Sequence, residues 1–126
     1  MTYADCTVGN HLYYGRYLEL LEAARGALFR ELGWPFTRLE AEDVALPVIR
    51  VEVDYRTAAR YDDLVQVDVH LLDLGRVKLA FGYVLETAEG RRVAEARTFH
   101  GITTHGDRPR RLPAPLQEAL AALGQG

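Results

Sequence analysis

Asp5, Cys6, Thr7, His11, Tyr13 and Tyr14 fall just before, or at the start of, an apolar run with helical spacing. The first amides of a helix have no intrahelical acceptor and carry a partial positive charge. Side chains gathered there can attack or hold a carbonyl while the amides stabilise its oxygen as charge develops. Asp5 offers a carboxylate that can act as nucleophile or as general base on water. Thr7 can orient that water or hydrogen-bond a carbonyl, and His11 can donate to a ligand or exchange a proton. Of Tyr13 and Tyr14, one lines a pocket and the other packs as core. Plainer roles compete: an Asx turn for Asp5, a cap hydroxyl for Thr7, local backbone bonding for His11. The spacing of Asp5, Cys6 and His11 matches no structural zinc pattern, so no metal is expected. Nothing in the sequence around Cys6 activates a thiol.

These residues need a rigid support, and the helix over Tyr13 to Gly33 provides it. Leu12, Tyr13, Tyr17, Leu20, Leu21, Ala24, Leu28 and Leu32 recur at three-to-four spacing,. Leu18, Ala27 and Phe29 widen the apolar stripe beyond that of an ordinary surface helix,. Gly33 suits the C-cap, and Pro35 blocks continuation. Glu22 and Arg25 lie three apart, the spacing of an intrahelical ion pair or of a pair presented to a second subunit.

Trp34 to Asp43 reads as a loop or short turn, with Trp34 and Phe36 tucking back. Beyond Ala45 the period changes to two. Val51, Val53 and Tyr55 alternate with polar residues, as do Val65, Val67, Val69 and Leu71,. Val77 to Leu85 and Arg92 to Thr104 alternate likewise, with turns at Asp73-Leu74-Gly75 and Glu89-Gly90,. Together with Thr2 to Val8, this predicts an α+β domain: a strand, one long helix, then four antiparallel strands in a meander or a close variant. One helix covers one face of such a sheet, and a long edge strand needs a partner. Both points predict a homodimer or larger homo-oligomer, with sheets joined edge to edge. The tail, residues 105–126, is proline-rich and ends in a short amphipathic segment, Leu116 to Leu123, that packs on the surface or frays.

The 126 residues suit one domain, 1–126, and the balance of 48% hydrophobic and 26% charged residues is that of a globular protein,. A net charge of -3 gives no overall basic field, which argues against nucleic acid or anionic lipid as a partner,. With Cys6 the only cysteine, no intrachain disulfide can form,. Polar residues begin at once and no apolar run is long enough to span a bilayer, so a cytoplasmic location is expected. The basic residues are almost all arginine, Lys78 being the one lysine.

The run from Thr7 to Tyr17, TVGNHLYYGRY, followed by Glu22-Ala23-Ala24-Arg25, resembles the hotdog-fold acyl-CoA thioesterases of the 4-hydroxybenzoyl-CoA thioesterase and YbgC-like type. Those carry D-x-x-G-(H/I/V)-V-(N/Y/W)-(N/Y)-x-x-Y and then an apolar helix with E-x-A-R. Val53-Asp54-Tyr55, Arg60-Tyr61-Asp62-Asp63 and Arg108-Pro109-Arg110-Arg111-Leu112-Pro113 add to the similarity. The resemblance implies a hotdog fold, an antiparallel sheet wrapped around one long central helix, with sheets joined across a homodimer that can pair into a tetramer. It implies hydrolysis of an acyl-CoA thioester to a carboxylic acid and free CoA, at a subunit interface beside the N-terminus of the helix. No organic cofactor is implied, CoA being part of substrate and product. Tyr13, Tyr14 and Glu22 then line the substrate site. Arg76, Val77 and Lys78 stand at the start of a strand whose counterpart meets the CoA phosphates, and Arg108, Arg110 and Arg111 form a second basic group. The family's catalytic aspartate falls on Thr7, which has no carboxylate. Asp5 is the nearest acid and takes that role, with Thr7 and His11 beside it. The same departure motivates an alternative, a hotdog protein that binds acyl-CoA and hydrolyses it weakly.

Overall fold

The computed structural model describes residues 6–7, 11–12, 14–57 and 65–123. Two short strands, β1 (Cys6–Thr7) and β2 (His11–Leu12), pair antiparallel ahead of the long helix α1 (Tyr14–Glu31). A short helix α2 (Phe36–Ala41) follows. The main sheet is built from β3 (Val48–Tyr55), β4 (Val65–Leu74), β5 (Lys78–Thr87) and β6 (Arg92–Gly101), and α3 (Ala114–Leu123) closes the chain.

All neighbours in the sheet are antiparallel, but the order is β3-β6-β5-β4. The expected meander therefore holds for β4, β5 and β6 only. β3 pairs with β6 rather than β4, so β3 and β4 form opposite edges. Period-two patterning specifies which residues share a face, and is silent on which strand lies next to which.

Register decides what meets α1. Val53, Ala96, Tyr83 and Val69 lie across from one another, as do Val51, Thr98, Phe81 and Leu71. Residues in register point to one face. That face is buried from Leu79 to Leu85 on β5 and from Ala94 to His100 on β6, at alternate positions. On the helix side Tyr17, Leu21 and Phe29 are buried, with Leu20, Ala24 and Leu28 packed against the core. Ala94 and Ala96 are small, which lets the helix approach the sheet closely. The opposite face carries Arg97 between Glu52 and Asp54, and Arg92 between Glu86 and Glu95.

Gly33 ends α1 as the sequence predicts. Its φ is 82°, Trp34 N donates to Phe29 O at 2.8 Å, and Gly33 N donates to Arg30 O at 3.0 Å, the paired bonds of a Schellman motif. Arg38 reinforces the stop: its guanidinium stacks on Trp34 at 3.6 Å and donates to Gly33 O at 2.9 Å. α2 replaces the expected loop or turn; its six residues are too few to show a helical period,. Trp34 tucks into the core, whereas Phe36 stays half exposed beside Phe29. The C-terminal segment docks firmly, since Leu116 and Leu120 are fully buried.

Candidate active site

The short β1–β2 hairpin positions the helix start. Thr7 and His11 are direct cross-strand partners, and α1 begins two residues after β2 ends. Two of the three sequence-predicted catalytic positions are thus backbone neighbours immediately before the first free amides of α1. For Thr7, His11 and Tyr14, the first residue of α1, the backbone alone is described. Asp5 and Tyr13 lie outside the described residues.

Further along α1, a cavity of about 610 Å³ opens between the helix, α2, the segment leading into β3 and the end of β6. Phe29, Phe36, Leu39, Val44, Val48 and Phe81 supply apolar walls, and Glu22, Arg25 and His100 bring polar groups to it. Glu22 is exposed on the helix, and no ion pair between it and Arg25 is found among the described residues. Arg25 turns inward instead, and its Nη1 donates to the Tyr83 hydroxyl at 3.1 Å.

That bond begins a buried chain that no motif in the sequence marks. Tyr83 Oη lies 2.6 Å from Thr98 Oγ1, Thr98 Oγ1 lies 2.8 Å from His100 Nε2, and His100 Nδ1 lies 3.0 Å from Leu46 O. A carbonyl only accepts, so Nδ1 carries the proton and donates to Leu46 O. Burial lowers the His100 pKa, the hydrogen bond to Leu46 opposes this, and the nearby Arg25 charge lowers it further. The ring is therefore neutral and Nε2 accepts from the Thr98 hydroxyl. Thr98 in turn accepts from Tyr83, whose oxygen accepts from Arg25. Burial raises the Tyr83 pKa, against the lowering effects of Arg25 and Thr98, so the phenol keeps its proton. The available signal in the sequence is that Thr98 and His100 share a strand face with Ala94 and Ala96, a polar pair on an otherwise apolar side.

A second cleft, about 420 Å³, is lined by Leu74, Gly75, Arg76, Arg111, Leu112, Ala114 and Gln117. It joins one arginine from each of the two basic groups, which are far apart in sequence. Val77 is exposed in the turn before β5 rather than in the strand, and Lys78 is exposed at the first position of β5; neither lines this cleft. Among the described residues no cluster of His, Cys, Asp or Glu side chains could hold a metal ion, and no helix is long and apolar enough to cross a membrane.

The fold has known counterparts. The family model described as "Thioesterase-like superfamily" matches residues 1–123. The chain is 29% identical over 94 residues to the acyl-CoA thioester hydrolase YbgC of Escherichia coli O6:H1, covering 75% of this chain and 70% of that protein. It is similar to the crystal structure of hypothetical protein TT1821 from Thermus thermophilus, with a TM-score of 0.90, 32% identity, and coverage of 98% of this chain and 94% of that one. A thioesterase from the same species, crystallised with coenzyme A and Zn, superposes with a TM-score of 0.82 at 27% identity, covering 100% of this chain and 91% of that one.

Proposed function

The chain belongs to the thioesterase-like superfamily, and on that premise we propose that it is an acyl-CoA thioesterase acting at the start of α1. Thioester hydrolysis is the enzyme class that comes with this membership, and the hotdog arrangement of helix and sheet agrees with it. The observation that carries the reading is the family match across 1–123, joined to the pairing of Thr7 with His11 directly before α1.

In the mechanism we favour, the thioester carbonyl rests against the free amides at the beginning of α1, around Gly15. The Asp5 carboxylate takes a proton from water as the water oxygen attacks the carbonyl carbon. The carbonyl π electrons move to oxygen, where the amides stabilise the charge. Collapse of the tetrahedral intermediate breaks the C–S bond, and the departing CoA sulfur receives the proton, leaving a carboxylic acid and free CoA. Direct attack by Asp5, through an anhydride that water then opens, gives the same products. Thr7 and His11 hold the water and the carbonyl. CoA enters only as part of the substrate, so no separate cofactor is needed.

The acyl group extends along α1 toward the cavity beside Glu22 and Arg25, with Tyr13 and Tyr14 near its beginning. The cleft of Arg76 and Arg111 suits the CoA phosphates, because guanidinium groups bind phosphate bidentately. The edge strand β3 leaves Val48, Ile49, Val51 and Tyr55 exposed, 61% in the case of Ile49. Pairing of this edge with a second copy covers them and closes the cavity that Val48 lines. A homodimer, or a tetramer of two such dimers, is therefore the working form, in keeping with a cytoplasmic enzyme.

Asp5→Asn tests the assignment of the base: loss of most CoA release is expected, and wild-type turnover would remove Asp5 from the mechanism. Thr7, in place of the family's aspartate, favours one second reading, a protein that binds acyl-CoA and hydrolyses it weakly. Calorimetry showing tight CoA binding without thiol release from a panel of thioesters would establish that reading instead.

A further inference from the structure

The donor chain beneath α1 runs one way, from Arg25 through Tyr83, Thr98 and His100 to Leu46 O. Each intermediate hydroxyl both accepts and donates, so the chain is complete within itself. Its first member is different. Among the described residues Arg25 directs its side-chain donors to Tyr83 alone, and most of them remain for a ligand. Arg25 also lines the cavity of about 610 Å³, where Phe29 and Phe81 supply apolar surface and Glu22, Glu40, His100 and Asp107 supply polar groups. Thr103 lines the same cavity, and its Oγ1 is buried with no hydrogen-bond partner among the described residues.

A guanidinium with unused donors in a site that a ligand fills discriminates between ligands, because one that covers it without accepting a hydrogen bond leaves those donors unpaired. The acidic residues decide which oxygen suits it. Glu22, Glu40 and Asp107 line the cavity as well, so a second anion gains little there. A hydroxyl fits better: it can accept from Arg25 and donate to Glu22, one turn away on the same helix.

We propose that Arg25 is a specificity-determining residue for an acyl group bearing a distal neutral hydroxyl, and that Tyr83, Thr98 and His100 are positioning residues that aim its guanidinium into the cavity. This rests on the reading of the chain as an acyl-CoA thioesterase whose thioester sits at the start of α1. From Tyr14 to Arg25 the helix rises, and the Arg25 side chain leans back toward the N-terminus, so the guanidinium lies on the order of 10 Å from the carbonyl position. An extended medium-length acyl chain reaches that far.

The test uses CoA thioethers, which bind without being hydrolysed: S-octyl-CoA, its ω-hydroxyoctyl analogue, and the analogue ending in a carboxylate. Calorimetry on the full chain is expected to show the hydroxyl ligand binding at least about tenfold tighter than the plain octyl ligand, with the carboxylate ligand behind the hydroxyl one. Arg25→Met should collapse the hydroxyl-to-octyl ratio toward unity. Thr98→Val should lower the ratio, and Thr98→Ser, which keeps the hydroxyl, should restore it; a merely structural role for Thr98 would change both affinities and leave their ratio intact. Equal affinity of wild type for the hydroxyl and octyl ligands overturns the proposal while leaving the thioesterase reading standing. So does a ratio unchanged in Arg25→Met. A carboxylate ligand that binds tightest overturns the choice of a neutral hydroxyl. Failure of every CoA ligand to bind defeats the thioesterase reading itself, and the proposal with it.

Discussion

The hydroxyls of Tyr83 and Thr98 lie 2.6 Å apart beneath α1, on neighbouring strands and 15 residues apart in sequence. Removing the phenol oxygen leaves a buried Thr98 oxygen without its donor and Arg25 without its acceptor. Tyr83→Phe is therefore expected to cost about 1–3 kcal/mol of stability, the range for an orphaned buried polar group. Urea denaturation checks this. A variant as stable as wild type would mean that the chain relaxes freely around the loss.

The same chain sets a pH dependence. Burial holds His100 below its ordinary value of about 6.5, while the unfolded histidine keeps that value,. Between the two, the unfolded state binds more protons, so stability rises with pH there. The contribution is fully present above about pH 6.5 and is lost as pH falls toward the lowered folded value. Tyr83 acts at the other end: its pKa is raised in the fold, so stability declines as pH climbs past about 10,. Unfolding curves from about pH 5 to 8, on wild type and His100→Gln, measure the acid side. The slope should be smaller in the variant, and equal slopes would assign it to other groups.

Arg76 and Arg111 meet in one cleft, and Lys78 does not share it. If that cleft takes the CoA phosphates, Arg76→Ala and Arg111→Ala should each raise KM roughly tenfold or more with little change in kcat, since charge-assisted bonds carry about 1.5–3 kcal/mol. Lys78→Ala should raise it less. Steady-state kinetics at low and raised salt separates these outcomes, and an equal effect of all three substitutions would indicate a diffuse field rather than a built site.

Leu120 is fully buried on α3. Leu120→Ala should destabilise the fold by about 2–5 kcal/mol, measured by chemical denaturation. A loss below about 1 kcal/mol would show that α3 contributes little to the core.

The legible parts of the sequence are those governed by local rules. The period of Tyr17, Leu21 and Phe29 marks α1 and its buried side, and Gly33 marks its end. Alternation marks all four long strands. Strand order is not legible, because the pairing of β3 with β6 is a long-range choice that each strand's own pattern does not encode. Nor is the polar chain: alternation puts Thr98 and His100 on one face, but only the register with Tyr83 and the inward turn of Arg25 make them a connected set. Similarity of the motif around His11 and Tyr17 reaches the family correctly, since residues 1–123 match it. The two basic groups stand apart in the sequence, and chain folding brings one member of each together.

Thiol release from acyl-CoA substrates is the most direct measurement of the central claim. Purified protein should release free CoA from at least one member of a panel running from short aliphatic to aromatic acyl groups. The release should be catalytic, many molecules per protomer, and most of it should disappear in Asp5→Asn. Tight CoA binding with no release from any thioester in the panel would contradict thioesterase activity and leave an acyl-CoA-binding protein in its place.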